Sequence, residues 1–139
     1  MAKAEGIPPT ASTASVGPRI NYLGQHIYAF SGQIIVANAT VTCLEFTSGA
    51  GYIMANFTQS IDSTAIDQGQ LIGFSIELNE VVVNSFVEFV RSMAGQEFLG
   101  LQTYEFLIPP FTLVTTKAYT DDSSNNPFYH TMTGRVYDV

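Results

Sequence analysis

The chain has few charged residues, one cysteine, no tryptophan and no long hydrophobic run. Charged residues make up 12% of the 139 residues, about half of the usual share, while hydrophobic residues reach 46%. The longest apolar stretches, such as residues 34–37 and 81–83, fall far short of the roughly 20 residues that a membrane-spanning helix needs. We therefore expect no membrane partner, and the N-terminal residues lack the apolar segment of a signal peptide.

The charge that is present is mostly negative, with a formal net charge of −7. After residue 25 the strong cations are Arg91, Lys117 and Arg135, whereas binding to a nucleic-acid backbone requires clustered lysine and arginine. We therefore predict no nucleic-acid partner. A surface with so little charge is typical of one that contacts other subunits, because the centres of interfaces lose charged residues.

Few residues could carry out catalysis. Cys43 is alone in an apolar segment, so an intrachain disulfide is impossible and we predict a buried thiol. His26 and His130 make a Cys/His dyad formally possible, but no motif of a hydrolase, a zinc protease or a phosphate loop accompanies them. We therefore predict no enzyme activity, no catalytic residue and no cofactor.

Two acidic loops could be considered as cation sites. The spacing of Asp121, Ser123 and Asn125 resembles the start of a calcium loop. The glycine and the bidentate acid that such a loop requires at its sixth and twelfth positions are absent, so a solvated turn is the better interpretation. Asp62 and Asp67 share a second loop without a third acid nearby. We predict no metal site.

The first 25 residues differ from the rest of the chain. Pro8 and Pro9 prevent a helix and favour an extended polyproline backbone. The small residues that follow offer no side chains for a core. We predict an extended N-terminal arm over residues 1–25 and one domain over residues 26–139. A disordered tail and an arm that orders on a partner both fit this composition.

From residue 25 onward, short β-branched and aromatic segments alternate with turn residues. Ile72, Phe74, Ile76 and Leu78 alternate with smaller or polar residues, which is typical of a strand in sheets packed face to face. We predict an all-β protein, an antiparallel β-sandwich that is jelly-roll-like with about eight strands. The predicted strands are residues 26–30, 33–37, 40–47, 52–58, 71–78, 81–90, 103–108, 111–119 and 129–137.

The separators between these segments predict specific turns. Asn79 and Glu80 join two strands tightly, because asparagine tolerates a left-handed backbone. Pro109 and Pro110 cannot donate to a sheet, so we expect a bend or a change of sheet there.

Four tyrosines are candidate sugar-binding residues, because aromatic rings pack on pyranose faces. The absence of tryptophan weakens this interpretation, and most of these rings are more simply explained as sheet-face or interface residues. The tyrosines are Tyr104, Tyr119, Tyr129 and Tyr137.

Residues 27–138 resemble small all-β virion proteins of tailed phages, in particular capsid decoration, or cement, proteins. The resemblance rests on the strand pattern of residues 30–55, 71–83 and 105–116. It also rests on two short phrases, Ile108-Pro109-Pro110-Phe111 and Thr133-Gly134-Arg135-Val136-Tyr137. The resemblance implies a jelly roll or sandwich that sits as a trimer on the capsid surface and ties neighbouring capsomers together.

The first functional hypothesis is therefore a structural virion protein that cements capsomers from the outer surface of a phage capsid, with the major capsid protein and other copies of itself as partners. Independently of the resemblance, we predict that the arm contacts the capsid through Ile7, Pro8, Pro9, Val16, Pro18, Arg19, Ile20 and Tyr22. The alternative is a receptor- or glycan-binding head at a tail-fibre or spike tip, in which the loops 60–70 and 121–128 would carry recognition.

Overall fold

The computed structural model describes residues 20–23, 25–61, 70–89 and 102–137. Every regular element in this part of the chain is a β-strand, which confirms the predicted all-β class. The strands are β1 (Asn21–Leu23), β2 (His26–Val36), β3 (Ala39–Thr47), β4 (Tyr52–Ile61), β5 (Leu71–Leu78), β6 (Val81–Phe89), β7 (Gln102–Ile108), β8 (Leu113–Thr120) and β9 (Asn126–Tyr137).

The strands form two antiparallel sheets. Sheet I has five strands in the order β1-β2-β9-β4-β7, and sheet II has four in the order β3-β8-β5-β6. The chain changes sheet at every connection except β1–β2 and β5–β6. Without β1, two four-stranded sheets with this order are a jelly roll. The predicted β-sandwich is therefore confirmed, and its connectivity, which the sequence left open, is now known.

The core lies between the sheets in two apolar clusters. The first contains Phe46 and Phe57, and the second contains Phe74 and Phe128, whose rings meet edge to face at 5.8 Å. Fully burying one such side chain stabilises the fold by roughly 1.5–3 kcal/mol. The alternation predicted for β5 is confirmed, because its apolar side chains at 72, 74 and 76 are buried.

A polar layer separates the two apolar clusters. Three inward-facing polar residues each lie between a member of one cluster and a member of the other on the same strand. They are Gln59 on β4, Thr116 on β8 and His130 on β9. Since β8 belongs to sheet II and the other two strands to sheet I, this layer joins the two sheets through polar contacts.

β2 is one long strand where two strands were predicted. Ser31 and Gly32 were expected to end the first strand, but they form a β-bulge opposite His130, with Gly32 at φ +69°. The Ser31 hydroxyl accepts a hydrogen bond of 2.9 Å from the backbone N–H of His130. The bulge therefore absorbs the turn-like residues without ending the strand.

A second bulge explains the burial of two consecutive residues in β3. The pairing of β3 with β8 shifts between Thr42 and Leu44, so Cys43 is the extra residue. Cys43 and Leu44 are both buried, in different apolar clusters. The alternation along β3 is therefore interrupted at the cysteine, and the prediction of a buried thiol is confirmed.

The predicted turns are present with the expected backbone. Asn79 and Glu80 have φ values of +51° and +69° and connect β5 to β6 within sheet II. Pro109 and Pro110 lie between β7 of sheet I and β8 of sheet II, which confirms the predicted change of sheet.

The C-terminal part of the predicted arm belongs to the sandwich. β1 pairs with β2 through residues 21–23, and Ile20 is 4% exposed within the first apolar cluster. The boundary between arm and domain predicted after residue 25 therefore moves to residue 19 at the latest. Residues 1–19 of the arm lie outside the described residues.

Candidate functional site

The predicted capsid-contact residues fall into two groups. Ile7, Pro8, Pro9, Val16, Pro18 and Arg19 lie outside the described residues. Tyr22 lies in β1, where it pairs with Ile27 of β2. Ile20 is a correction to the predicted contact set, because its side chain packs in the core of the chain itself and is not available to a partner.

The structure does not bring Cys43 and His130 together as a hydrogen-bonded dyad. The Cys43 thiol faces the carbonyl oxygen of Val41 at 3.8 Å. Burial raises the pKa of Cys43 to about 12, outweighing a backbone hydrogen bond that lowers it. The thiolate, which is the nucleophilic form, is therefore absent at neutral pH. His26 lies exposed at the start of β2.

His130 is the best-defined polar group of the core. Its Nδ1 lies 2.8 Å from the Thr116 hydroxyl and 3.5 Å from Gln59 Nε2. Nδ1 can accept from both groups when the imidazole proton is on Nε2, and Nε2 is buried with no hydrogen-bond partner among the described residues. The ring also packs against Phe74 at 5.7 Å. Burial lowers the pKa of His130 to about 3, so the imidazole is neutral at physiological pH.

The loop between β8 and β9 uses its side-chain oxygens within the fold. Asp121 Oδ1 accepts a 2.8 Å hydrogen bond from the backbone N–H of Leu71. Asp122 is buried and accepts hydrogen bonds from the backbone N–H and the hydroxyl of Ser124. The predicted solvated turn is therefore partly wrong, because Asp121 binds the loop to β5 and Asp122 is buried.

No group of three or more histidine, cysteine, aspartate or glutamate side chains that could hold a metal ion occurs among the described residues. Asp62 and Asp67 fall outside them. No helix within the described ranges is long and apolar enough to cross a membrane.

The outer face of sheet II is polar near its centre. A shallow groove there contains an ion pair, in which Lys117 Nζ lies 3.0 Å from Glu77 Oε2. Glu45 and Glu80 also line the groove. A partly exposed ion pair of this kind contributes at most about 1 kcal/mol to stability.

Large apolar side chains are exposed at the edge of the same sheet. β6 pairs only with β5 among the described strands. It exposes five apolar side chains, to which we refer as the β6 patch: Val81, Val82, Val83, Val87 and Phe89. By the register of β6 with β5, Val82, Val87 and Phe89 lie on the outer side of sheet II, whereas Val81 lies on the side of the core.

A second apolar patch lies on the outer face of sheet I. Tyr52 is paired with Tyr137 across β4 and β9, and Met54 is flanked by Leu107 of β7. These four exposed side chains form the β4–β9 patch. Arg135, opposite Met54, lies within it, and its guanidinium is 5.9 Å from the centre of the Tyr137 ring.

The four tyrosines predicted as sugar-binding candidates do not share one surface. Tyr137 is exposed in the β4–β9 patch, whereas the other three are partly buried. Tyr104 donates a hydrogen bond to Gln102, and Tyr129 accepts one from Gln33. The two patches were not predicted from the sequence. The three successive valines of β6 were the available indication, because an alternating strand would not have apolar residues at each of these positions.

No protein-family model matches the chain, and no curated protein matches it in sequence. Several solved structures are similar to it. A structure of infectious bursal disease virus, Gx strain, is 12% identical over 96% of this chain and 38% of that chain, with a TM-score of 0.47.

The VP2 subviral particle of infectious bursal disease virus is 11% identical over 96% of this chain and 43% of that chain, with a TM-score of 0.43. Dimeric latent PorU from Porphyromonas gingivalis is 14% identical over 99% of this chain and 15% of that chain, with a TM-score of 0.41. The chain thus spans less than half of the length of each. At such identities a likeness concerns the fold alone.

Proposed function

We propose that the chain is a structural virion protein that binds the outer surface of a phage capsid and cements neighbouring capsomers as a homotrimer. The observation that carries this proposal is the exposure of large apolar side chains on both outer faces of the jelly roll. Monomeric soluble proteins rarely expose contiguous apolar patches of a few hundred Å² unless a partner covers them. The resemblance of residues 27–138 to decoration proteins points to the same class of partner.

The low charge of the chain agrees with a role in a shell. A protein that contacts neighbours on two faces needs little charge on those faces, because charged groups are costly at the centre of an interface. Contacts repeated over a shell also allow modest affinities at each position to add up to firm attachment. These features support a structural role.

In this proposal the N-terminal segment before Ile20 contacts the capsid. It contains the predicted contact residues Ile7, Pro8, Pro9, Val16, Pro18 and Arg19. The burial of Ile20 determines where a deletion must end, because removing that residue would damage the core as well as the contact. A chain that starts at residue 20 removes these six predicted contacts and keeps Tyr22 together with the sandwich.

The test is co-sedimentation with capsid shells that lack the protein. Three chains are compared: the full chain, a chain without residues 1–6 and a chain without residues 1–19. We expect the first two to bind stoichiometrically and the third to lose at least tenfold in affinity. Equal binding by all three would contradict the role of the arm. Binding by none of them would contradict the cementing function.

A glycan-binding head remains the second candidate, because jelly rolls also occur in lectins and Tyr137 is exposed in the β4–β9 patch. A glycan array probed with the full chain tests it. Strong and specific binding to one glycan class, together with no binding to shells, would replace the proposed function by this alternative.

A further inference from the structure

We propose that residues 16–19, to which we refer as the arm base, extend β1 along the open edge of β2 in the same chain. This contact can be tested without a capsid. Its consequence deepens the proposed function and rests on it, because the arm that is free to contact the capsid is then confined to residues 1–15.

β2 has an open edge over most of its length. The strand is eleven residues long, but β1 covers only its first three residues and ends where Asn21 pairs with Tyr28. On its other side, β2 pairs with β9 from His26 to Val36. Residues 29–36 therefore have no paired strand on the β1 side among the described residues. An open edge of this kind is a site at which a further strand can add.

The hydrogen bonds of β2 show which of its backbone groups face this edge. The carbonyl oxygen of Gln25 accepts a 2.8 Å hydrogen bond from the backbone N–H of Val136 in β9. Successive residues of an antiparallel strand turn their N–H and C=O groups to alternate sides. Residues 27 and 29 therefore face β9, whereas residues 26, 28 and 30 face the β1 side. Phe30, whose side chain is 52% exposed, has the next backbone groups that are available at the edge.

The register of β1 brings Arg19 to Phe30. Because the two strands are antiparallel, each step back along β1 advances one position along β2. Ile20 then lies opposite Ala29, and both side chains are buried in the first apolar cluster, as expected for two residues of one cross-strand pair. The chain thus still follows β2 at residue 20. Arg19 is the next residue, and it can exchange both of its backbone hydrogen bonds with Phe30.

Pro18 fits this placement in spite of its missing N–H. Residue 18 would turn its backbone groups away from β2, so no donor is needed there. Proline within sheets is confined to edge strands that have this orientation, to first residues and to bulges. It also hinders a further strand from pairing on the outer side. An arm base with Pro18 at this position would therefore close the edge of sheet I.

The sequence of the arm base alternates as this placement requires. Val16, Pro18 and Ile20 are apolar and share one face of an extended strand, whereas the residues between them are glycine and arginine. The apolar face is the core side, because Ile20 is buried. An arm base that passes the bulge of β2 as β9 does, with one residue opposite two, places Val16 opposite Ile34. Ile34 is partly buried against the second apolar cluster, which Val16 would extend.

The occupant of the edge is the same chain, because residue 19 is covalently joined to a residue that already lies there. A strand from a second copy or from a capsid protein would have to displace it. A linked segment has the advantage of a high effective concentration at its own edge.

Amide hydrogen exchange of the full chain, followed by NMR, tests the inference. We expect the Phe30 amide to exchange at least about tenfold more slowly than an unpaired amide, at every protein concentration. Ala29 is the internal reference, because its N–H faces β9. Arg19→Pro removes the donor of the proposed pair and places a ring between the strands, whereas Arg19→Ala is the matched control and keeps the N–H.

We expect exchange at Phe30 to become at least about tenfold faster in Arg19→Pro and to stay unchanged in Arg19→Ala. Circular dichroism and the thermal midpoint verify that both variants are folded. Rapid exchange at Phe30 in the unchanged chain would overturn the inference, and so would equal protection in all three chains. Protection that is lost on dilution would identify a second copy as the occupant, and protection that requires capsid shells would identify a capsid strand. Either result would refute the placement in the same chain.

Co-sedimentation with shells separates this inference from the proposed function. A protected Phe30 in a chain that binds no shell would support the strand contact and contradict the cementing function. An unprotected Phe30 in a chain that binds shells would refute the contact and leave the cementing function intact. A chain without residues 1–15 should keep the protection of Phe30 and lose shell binding. Shell binding by this chain as strong as that of the full chain would overturn the confinement of the capsid contact to residues 1–15.

Discussion

At the scale of single residues, the polar layer of the core is the most informative feature. His130 of sheet I meets Thr116 of sheet II at 2.8 Å, and Gln59 donates to the carbonyl oxygen of Ser75 at 3.3 Å. Both contacts cross from one sheet to the other. A buried polar group that finds its partner in only one alignment favours that alignment over others. We therefore assign the layer a role in fixing how the two sheets face each other.

The buried imidazole makes the stability of the fold dependent on pH. Burial lowers the pKa of His130 from 6.5 to about 3, so below pH 6.5 the unfolded chain binds a proton that the folded chain does not. The contribution of neutral His130 to the free energy of unfolding is therefore fully present above pH 6.5. It is lost as the pH falls towards 3, at up to about 1.4 kcal/mol per pH unit.

Urea unfolding at pH 7 and pH 5 measures this effect, with His130→Gln as the comparison. We expect the free energy of unfolding of the unchanged chain to fall more steeply between these pH values than that of the variant. Equal slopes for both chains would show that His130 does not stay neutral in the fold.

Gly134 is required by the close approach of β9 to β4. A Cβ atom at this position would lie 2.7 Å from the backbone oxygen of Met54, a distance that forces one strand to move. We expect Gly134→Ala to lower the free energy of unfolding by about 1–3 kcal/mol. Gly73→Ala is the matched control, because its nearest contact would be 3.3 Å. Thermal unfolding compares the two, and an equal loss in both would contradict this explanation.

At the scale of elements, the alternation of apolar and polar residues predicted most strands, because each strand packs one face on the core. Within β2, two strands were predicted in place of one, because Ser31 and Gly32 are residues typical of a turn. The bulge opposite His130 keeps them in the sheet, and this depends on a residue about a hundred positions away. Local sequence contains no information about such a pairing. The bulge at Cys43, which leaves both Cys43 and Leu44 buried, likewise depends on the pairing of β3 with β8.

The hairpin between β5 and β6 contains a non-glycine residue with a strained backbone, and a substitution can relieve the strain. Glu80 has a φ of +69°, which costs a residue with a Cβ atom on the order of 1 kcal/mol, whereas glycine adopts it freely. We expect Glu80→Gly to raise the free energy of unfolding by about 0.5–1 kcal/mol. Glu88→Gly, in the interior of β6, should lower it. Chemical denaturation of both variants is the measurement, and a destabilised Glu80→Gly would show that the side chain matters more than the backbone.

At the scale of the whole molecule, the N-terminal region was divided incorrectly by composition. Residues 20–23 follow directly on a segment rich in proline and small residues, yet Ile20 is buried and β1 extends sheet I. The composition of the neighbouring residues concealed a short edge strand. The patches were also not predicted, since exposure depends on which strand lies at the edge of a sheet.

The revised boundary predicts different stabilities for two truncated chains. A chain that starts at residue 26 lacks Ile20 and β1, whereas a chain that starts at residue 20 keeps both. We expect the shorter chain to lose about 2–5 kcal/mol of unfolding free energy relative to the longer one, as for the loss of a buried aliphatic side chain. Thermal and urea unfolding of both chains measure the difference. Equal stabilities would place Ile20 outside the core.

We propose that this jelly roll covers its apolar faces by joining the surface of a virion shell. The experiment is negative-stain imaging of virions assembled with and without the chain. We predict additional density at regularly repeated positions on the outer surface of the shell when the chain is present. Shells that look identical in both preparations, with any difference confined to the tail, would contradict the claim.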